Sequence, residues 1–282
     1  MLGGNVFGWT ADEKTSFAIL DAFVDAGYNF VDTADIYSHW APGHVGGESE
    51  TVIGKWCRTG GKRSKVVLAT KVGGPMGTDP AKKGLKKEYI LRAVEDSLRR
   101  LQTDHIDLYQ SHFDDTATPV EEPLEAYAAL IKAGKVRFIG ASNYTPERLR
   151  AALAVQGLPH YVSLQPLYNL MEREAFEKEL AGVCADRGLG VIPYFALASG
   201  FLTGKYRTEA DLGKSTRGDR VQKYLNSKGL GVLKALDDVS ARHHTDPASV
   251  ALAWLAGRPL VTAPISSATS VTQLRSLIRC VE

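Results

Sequence analysis

Short apolar runs alternate with amphipathic stretches from one end of the chain to the other, and that alternation limits the fold more than any single motif. Val66-Val67-Leu68-Ala69 is a compact run of the kind that forms a strand buried on both faces. Ile90, Val94, Leu98 and Leu101 then recur at helical spacing and mark one apolar face. Strand-like runs lie near 4–7, 28–32, 66–71, 106–111, 136–140, 161–165, 189–194 and 260–264. Helical patterns separate them near 12–26, 48–57, 87–101, 121–133, 146–155, 172–187 and 230–256, with a last one at 270–280. Asp246-Pro247 is a helix-start signal that splits the long stretch after the seventh run in two. Eight strand–helix units in 282 residues predict an α/β fold, a single-domain (β/α)8 TIM barrel over 1–282, which typically takes ~250 residues. A doubly wound sheet would bring a glycine-rich phosphate turn after its first strand. Neither Gly3-Gly4-Asn5 nor Gly73-Gly74-Pro75-Met76-Gly77 has that pattern, and no linker divides the chain.

Charge and cysteine content narrow the function. Lys and Arg total 34 against 32 Asp and Glu, so a formal charge of +2 gives no electrostatic ground for nucleic acid or an anionic membrane as partner. No apolar run reaches the ~18 residues of a membrane helix, and Met1-Leu2-Gly3-Gly4 lacks the layout of a signal peptide. Cys57, Cys184 and Cys280 are widely spaced and form no CxxC. They predict reduced thiols in a cytoplasmic protein, with neither a disulfide framework nor a metal site.

In a barrel of this type the chemistry collects where strands end and loops begin. The second run ends in Asp32-Thr33-Ala34-Asp35-Ile36-Tyr37, the third in Thr70-Lys71 and the fourth in Gln110-Ser111-His112. The fifth ends in Ala141-Ser142-Asn143, the sixth at Gln165 and the seventh at Tyr194, while Ser266-Ser267-Ala268-Thr269 follows the eighth. Taken singly, each has a plain structural reading: a capping aspartate, a solvated lysine, a packed histidine. Four such coincidences on three neighbouring strands weigh less than one shared site. There an acid, a phenol, an ammonium and an imidazole meet over the barrel mouth and deliver a proton to a polarised oxygen. A phenol near pKa 10 is a weak acid at neutral pH. An ammonium ~4 Å away would stabilise its phenolate by up to about 4 kcal/mol at an effective dielectric near 20, roughly three pKa units before desolvation acts the other way. Asp32 is the counter-charge that keeps Lys71 protonated, and His112 can bond the substrate oxygen. Such a set supplies no electrons, so a hydride must come from a cofactor.

Asp32-Thr33-Ala34-Asp35-Ile36-Tyr37, Lys71, Tyr109-Gln110-Ser111-His112 and Gly140-Ala141-Ser142-Asn143 occur in that order. They are followed by Gln165-Pro166-Leu167-Tyr168-Asn169 and Ser199-Gly200-Phe201-Leu202-Thr203-Gly204-Lys205-Tyr206. This set, spread over nearly the whole chain, resembles the aldo-keto reductases, most of all the bacterial branches related to the potassium-channel β subunits. The resemblance implies a catalytic tetrad of Asp32, Tyr37, Lys71 and His112, with Tyr37 the general acid in reduction and the general base in oxidation. It also implies an extended nicotinamide dinucleotide across the barrel mouth. Ser142, Asn143 and Gln165 would hold the carboxamide, Tyr194 would stack on the nicotinamide ring, and Gly4, Asn5 and Val6 would touch its ribose side. Phe195 and the segment from Leu197 through Ser199, Gly200 and Leu202 to Lys205 would wrap the pyrophosphate. Ser267, Ala268, Thr269 and Gln273 would meet the adenosine end.

The chain departs from the family at several points. The usual N-terminal hairpin under the barrel and the usual C-terminal tail are expected to be lacking, since only Met1, Leu2 and Gly3 precede the first run and the sequence stops at Glu282. Where many members carry cations for a 2′-phosphate, the matching stretch is Ser266-Ser267-Ala268-Thr269 with Gln273. Leu277 stands where an adenine-contacting Asn is often found, and Arg275 and Arg279 are the nearby substitutes. The resemblance still makes NADP(H) the favoured cofactor, as the family default, and these departures make NAD(H) the alternative. Trp9 and Trp40, in loops after the first two runs, are candidates for the carbonyl pocket; the rival reading is loop packing. Three functions compete. The leading one is NAD(P)-dependent reduction of a small aldehyde or ketone. A redox-sensing subunit with little turnover is the second, and a lyase using Lys71 as a Schiff-base amine is the third.

Overall fold

A computed structural model describes residues 1–77, 79, 81–216 and 218–281, so Glu282, the last residue of the predicted domain, lies outside the described residues. Seven parallel strands run in sequential order: β1 (Leu2–Gly3), β2 (Phe30–Asp32), β3 (Val67–Val72), β4 (Ile106–Ser111), β5 (Val136–Ser142), β6 (Ser163–Gln165) and β7 (Gly190–Val191). The ring is closed by the stretch over 260–266. Thr262 N–H donates to the Val191 carbonyl (2.8 Å) and Ile265 N–H to Pro193 (2.9 Å) on one side; Gly3 N–H donates to Ser266 (2.9 Å) on the other. The predicted eighth strand thus pairs through isolated bridges to Val191 and Leu2. Two features keep it irregular: Pro264 has no N–H to donate, and Leu260 turns left-handed at φ 73°. The result is the predicted (β/α)8 architecture with a shortened last strand.

Helices surround this ring: α1 (Glu13–Asp25), α2 (Glu48–Cys57), α3 (Lys87–Leu101), α4 (Glu121–Lys132), α5 (Pro146–Ala154), α6 (Ala181–Arg187), α7 (Gly218–Val221), α8 (Ser227–His243), α9 (Pro247–Ala256) and α10 (Val271–Ile278). Their starts are written in the sequence. Asp12, Thr145, Asn226, Asp246 and Ser270 each accept a backbone N–H three residues on, and Pro146 and Pro247 occupy the first helical positions. α3 buries Ile90, Val94, Leu98 and Leu101, the predicted stripe. The stretch at 230–256 divides as Asp246-Pro247 predicts: α8 ends where His244 enters the left-handed region at φ 51°, and Asp246 caps α9. The first strand is displaced from the predicted 4–7. Phe7 N–H returns to the Gly4 carbonyl and Ala11 N–H to Val6, so the chain is already turning there.

The main core lies between strands and helices, and a second cluster gathers under the long connection after β7, with Phe201, Leu202, Tyr206 and Val221 fully buried. One glycine sets a helix spacing. A Cβ on Gly54 of α2 would lie 2.0 Å from the Arg100 carbonyl oxygen and 2.7 Å from the Leu101 carbonyl carbon, so α2 and α3 meet backbone to backbone. Gly54→Ala must push α2 off α3 and is expected to cost about 1–3 kcal/mol or more, checked as a lowered urea midpoint at unchanged m-value.

Candidate active site

Asp32 is the last residue of β2, and Lys71 lies one residue from the end of β3; both are fully buried. Lys71 Nζ donates to Asp32 Oδ2 (2.6 Å), to the Thr33 carbonyl (2.8 Å) and to Tyr37 Oη (2.8 Å). Those three bonds use all three ammonium hydrogens. Tyr37 Oη also points back at Asp32 Oδ2 over a longer 3.4 Å. The other Asp32 oxygen accepts from Gln110 Nε2 (3.3 Å) and Gln165 Nε2 (3.1 Å), so β4 and β6 both brace the carboxylate. His112 immediately follows β4, with its ring edge-on to Tyr37 at 5.9 Å between centroids. The four predicted residues therefore converge on one point.

Their electrostatics differ from the sequence expectation in one respect. Burial, and then the Asp32 carboxylate, push the Tyr37 phenol well above the ordinary tyrosine range instead of letting Lys71 pull it down. Burial draws the Lys71 ammonium below its usual value, and Asp32 opposes that shift. His112 is held well below the usual imidazole range, by burial and then by the Lys71 charge; its Nδ1 is buried without a hydrogen-bond partner. At neutral pH the site thus holds a protonated phenol and a neutral imidazole.

Asp32, Tyr37 and His112 face a cavity of about 1040 Å³ that extends from β1 and β2 to α10. Asn5, Val6, Ser142, Asn143, Gln165 and Tyr194 lie on its wall. So do Phe195, Leu197, Ser199, Gly200 and Lys205, and then Ser267, Thr269 and Gln273. Several polar groups are already engaged with one another. Ser142 Oγ donates to the Gln165 carbonyl (2.8 Å), Asn143 Nδ2 to the His112 carbonyl (2.9 Å), and Tyr194 Oη to Asn143 Oδ1 (2.7 Å). Thr269 N–H donates to Gln273 Oε1 (2.9 Å), and Ser267 Oγ pairs with Asn5 Oδ1. After β7 the backbone is left-handed at Ala198, Ser199 and Gly200 (φ 48°, 58° and 97°), and glycine meets the last of these without strain.

Three of the residues expected at the cofactor do not line the cavity. Gly4 turns its Cα toward α2, where a Cβ would sit 3.0 Å from Ser49 Oγ. Ala268 is buried in the main core and Leu202 in the second. Lys71 stands beneath the wall and is reached through Tyr37 and Asp32. Arg275 and Arg279 line a separate groove against α1, beside Asp21 and Asp25. Sequence reasoning also passed over wall residues: Phe113, Lys214, Arg220 and Asp246. Phe113 carried a usable signal, since it directly follows His112 at a strand end. Lys214 and Arg220 carried none beyond lying in the long connection after β7. Trp9 and Trp40 both lie on the wall, with ring centroids 5.6 Å apart.

Fold and site together define a (β/α)8-barrel protein with a proton-transfer cluster at the carboxyl ends of its strands and a deep cleft above them. A sequence model described as the Aldo/keto reductase family matches residues 1–282, and this chain belongs to that family of oxidoreductases. It is 41% identical over 291 residues to the uncharacterized oxidoreductase YrpG of Bacillus subtilis (strain 168), covering 100% of this chain and 86% of the relative. The aldo-keto reductase YhdN of the same organism is 34% identical, over 98% of this chain and 81% of the relative. A probable voltage-gated potassium channel subunit beta of Arabidopsis thaliana is 31% identical, over 98% and 84%. Among the described residues no helix is long and apolar enough to cross a membrane, and no group of three or more His, Cys, Asp or Glu is placed to hold a metal.

Proposed function

We propose that the protein reduces a small aldehyde or ketone with a nicotinamide dinucleotide, NADPH in preference to NADH, and that Tyr37 is the proton donor. The carrying observation is the Lys71 ammonium, 2.6 Å from Asp32 and 2.8 Å from a phenol that opens into the cleft. The donor set fits the cofactor: amides and a hydroxyl (Ser142, Asn143, Gln165) on the wall nearest the tetrad, and Lys205, Lys214 and Arg220 on the connection after β7. When bound, the reduced nicotinamide supplies the hydride to the carbonyl carbon and is left oxidised. Tyr37 Oη gives its proton to the carbonyl oxygen as negative charge develops there, and Lys71, already bonded to that phenol, stabilises the phenolate left behind. His112, neutral in the free protein, can bond the same oxygen and orient the carbonyl. The Asp32 carboxylate 2.6 Å from Lys71 argues against the lyase reading, because it favours the ammonium, which has no lone pair to attack a carbonyl.

Fluorescence titration with NADPH and with NADH, followed by loss of reduced-nicotinamide absorbance on adding an aldehyde, tests this. Micromolar NADPH binding with turnover is the expected result, and absence of binding to either cofactor in folded protein would overturn it. The likeness to plant channel subunits supports a second reading, a cofactor-binding sensor with little turnover. It calls for equally tight binding and negligible oxidation of the cofactor.

A further inference from the structure

We infer that the carbonyl substrate is an uncharged molecule with an aromatic or similarly flat apolar body, and that anionic carbonyl compounds are selected against; the inference rests on the reductase reading above. Five rings form a continuous row with the proton donor at its centre. Trp9 meets Trp40 edge-on at 5.6 Å, Trp40 lies 6.0 Å from Tyr37, Tyr37 5.9 Å from His112, and Phe113 stacks on His112 at 4.4 Å and 9°. All five line the same cavity. Phe113 remains 41% exposed, so much of its ring is available to a flat ligand.

Charge is distributed unevenly along the cavity. Its described cationic wall residues, Lys205, Lys214 and Arg220, all follow β7. From β1 through β5 the only charged wall residue among those described is Asp32, and its charge is balanced by Lys71. His112 adds none, since burial keeps its imidazole neutral. His39 touches Trp40 but stands off the wall, its Nδ1 bonded to the Ile36 carbonyl at 2.8 Å. A carboxylate or phosphate beside the reacting carbonyl would lose its hydration without gaining a cation; the donors on that stretch of wall, such as the Tyr37 hydroxyl and the unpartnered Trp40 Nε1, are neutral and do not balance a full charge. A neutral aryl group would instead exchange water for ring faces.

Phenylglyoxylate and its methyl ester test this directly, because the carboxylate is bonded to the reacting carbonyl carbon and must enter the ring-lined stretch with it. The ester is expected to be reduced with a kcat/KM about 100-fold or more above that of the anion, with most of the gap in KM. Trp9→Arg, which places a cation in the row, should narrow the ratio at least about tenfold, whereas Trp9→Phe should leave it in place. That contrast separates charge recognition from the intrinsic reactivity of the two compounds. Equal or better use of the anion by the unmodified protein would overturn the inference while leaving the reductase reading intact. A ratio unmoved by Trp9→Arg in a folded, NADPH-binding variant would also overturn it. If neither cofactor binds, the reductase reading fails and the inference falls with it.

Discussion

A Tyr37→Phe variant is expected to keep its fold and its NADPH affinity and to lose about 10²–10⁴-fold in kcat for carbonyl reduction. Only the phenolic oxygen is removed. Lys71 loses one of three acceptors but keeps Asp32 Oδ2 and the Thr33 carbonyl, so the buried ammonium stays paired and the barrel should hold. Lost with the oxygen is the proton that balances the developing alkoxide, an interaction made chiefly in the transition state, so the deficit should fall on kcat more than KM. The pH profile gives an independent check. Reduction needs the phenol protonated, and burial with Asp32 holds that phenol well above the ordinary range. Ionisation of Tyr37 itself should therefore cost the unmodified protein no rate through pH about 10, where a free tyrosine loses its proton; a fall before that pH belongs to Lys71, whose ammonium burial draws below its usual value. Stopped-flow single turnovers on both proteins would measure it; a variant retaining more than about a tenth of the rate removes Tyr37 from the mechanism.

Much of this arrangement can be read from the chain because a barrel puts its chemistry at one predictable place, the carboxyl ends of its strands. Asp32, Lys71 and Gln165 stand at or next to strand ends, and a search confined to such positions finds them together. What stays hidden is which way a residue faces once the strand has ended. Gly4 lies between Gly3 and Asn5, and Ala268 between Ser267 and Thr269; in both cases the neighbours line or border the cleft while the central residue packs outward. Alternation of this kind depends on knowing where the strand begins, and the first strand begins earlier than its apolar run suggests. The sign of the Tyr37 shift stays hidden for a related reason. Its lysine partner is visible in sequence, but the burial that outweighs that partner belongs to the assembled fold.

The layer behind the tetrad is less legible still, because it joins three elements far apart in sequence. Glu50 of α2 is fully buried, with Thr70 of β3 donating to one oxygen (2.6 Å) and Arg100 of α3 to the other (2.7 Å). Asp35 is buried nearby and accepts the Ile36 N–H at 2.7 Å, while its second oxygen has no partner. Burial, and then the Glu50 charge, raise its carboxyl well above the ordinary range. A neutral Asp35 leaves Asp32 balanced by Lys71 and Glu50 by Arg100, so the charges behind the cleft cancel in pairs.

That pairing makes Lys71→Met the substitution with the largest expected cost in stability, about 3–5 kcal/mol. The intact pair is not itself worth that much, since two charges had to leave water to form it. Removing one partner, however, leaves Asp32 ionised, buried and supported only by two neutral amides and the distant Tyr37 hydroxyl. Asp32→Asn combined with Lys71→Met should recover most of the lost stability, because no uncompensated charge remains, while turnover stays at least about 100-fold down because nothing supports a Tyr37 phenolate. Urea unfolding of the four proteins of that cycle separates the two effects. A single Lys71→Met cost below about 1 kcal/mol would mean that water reaches Asp32, and the dry, charge-balanced site argued for here would then be wrong. Recovery of stability without recovery of turnover would instead show that Lys71 is retained for catalysis, at a place where an apolar side chain would fold as well.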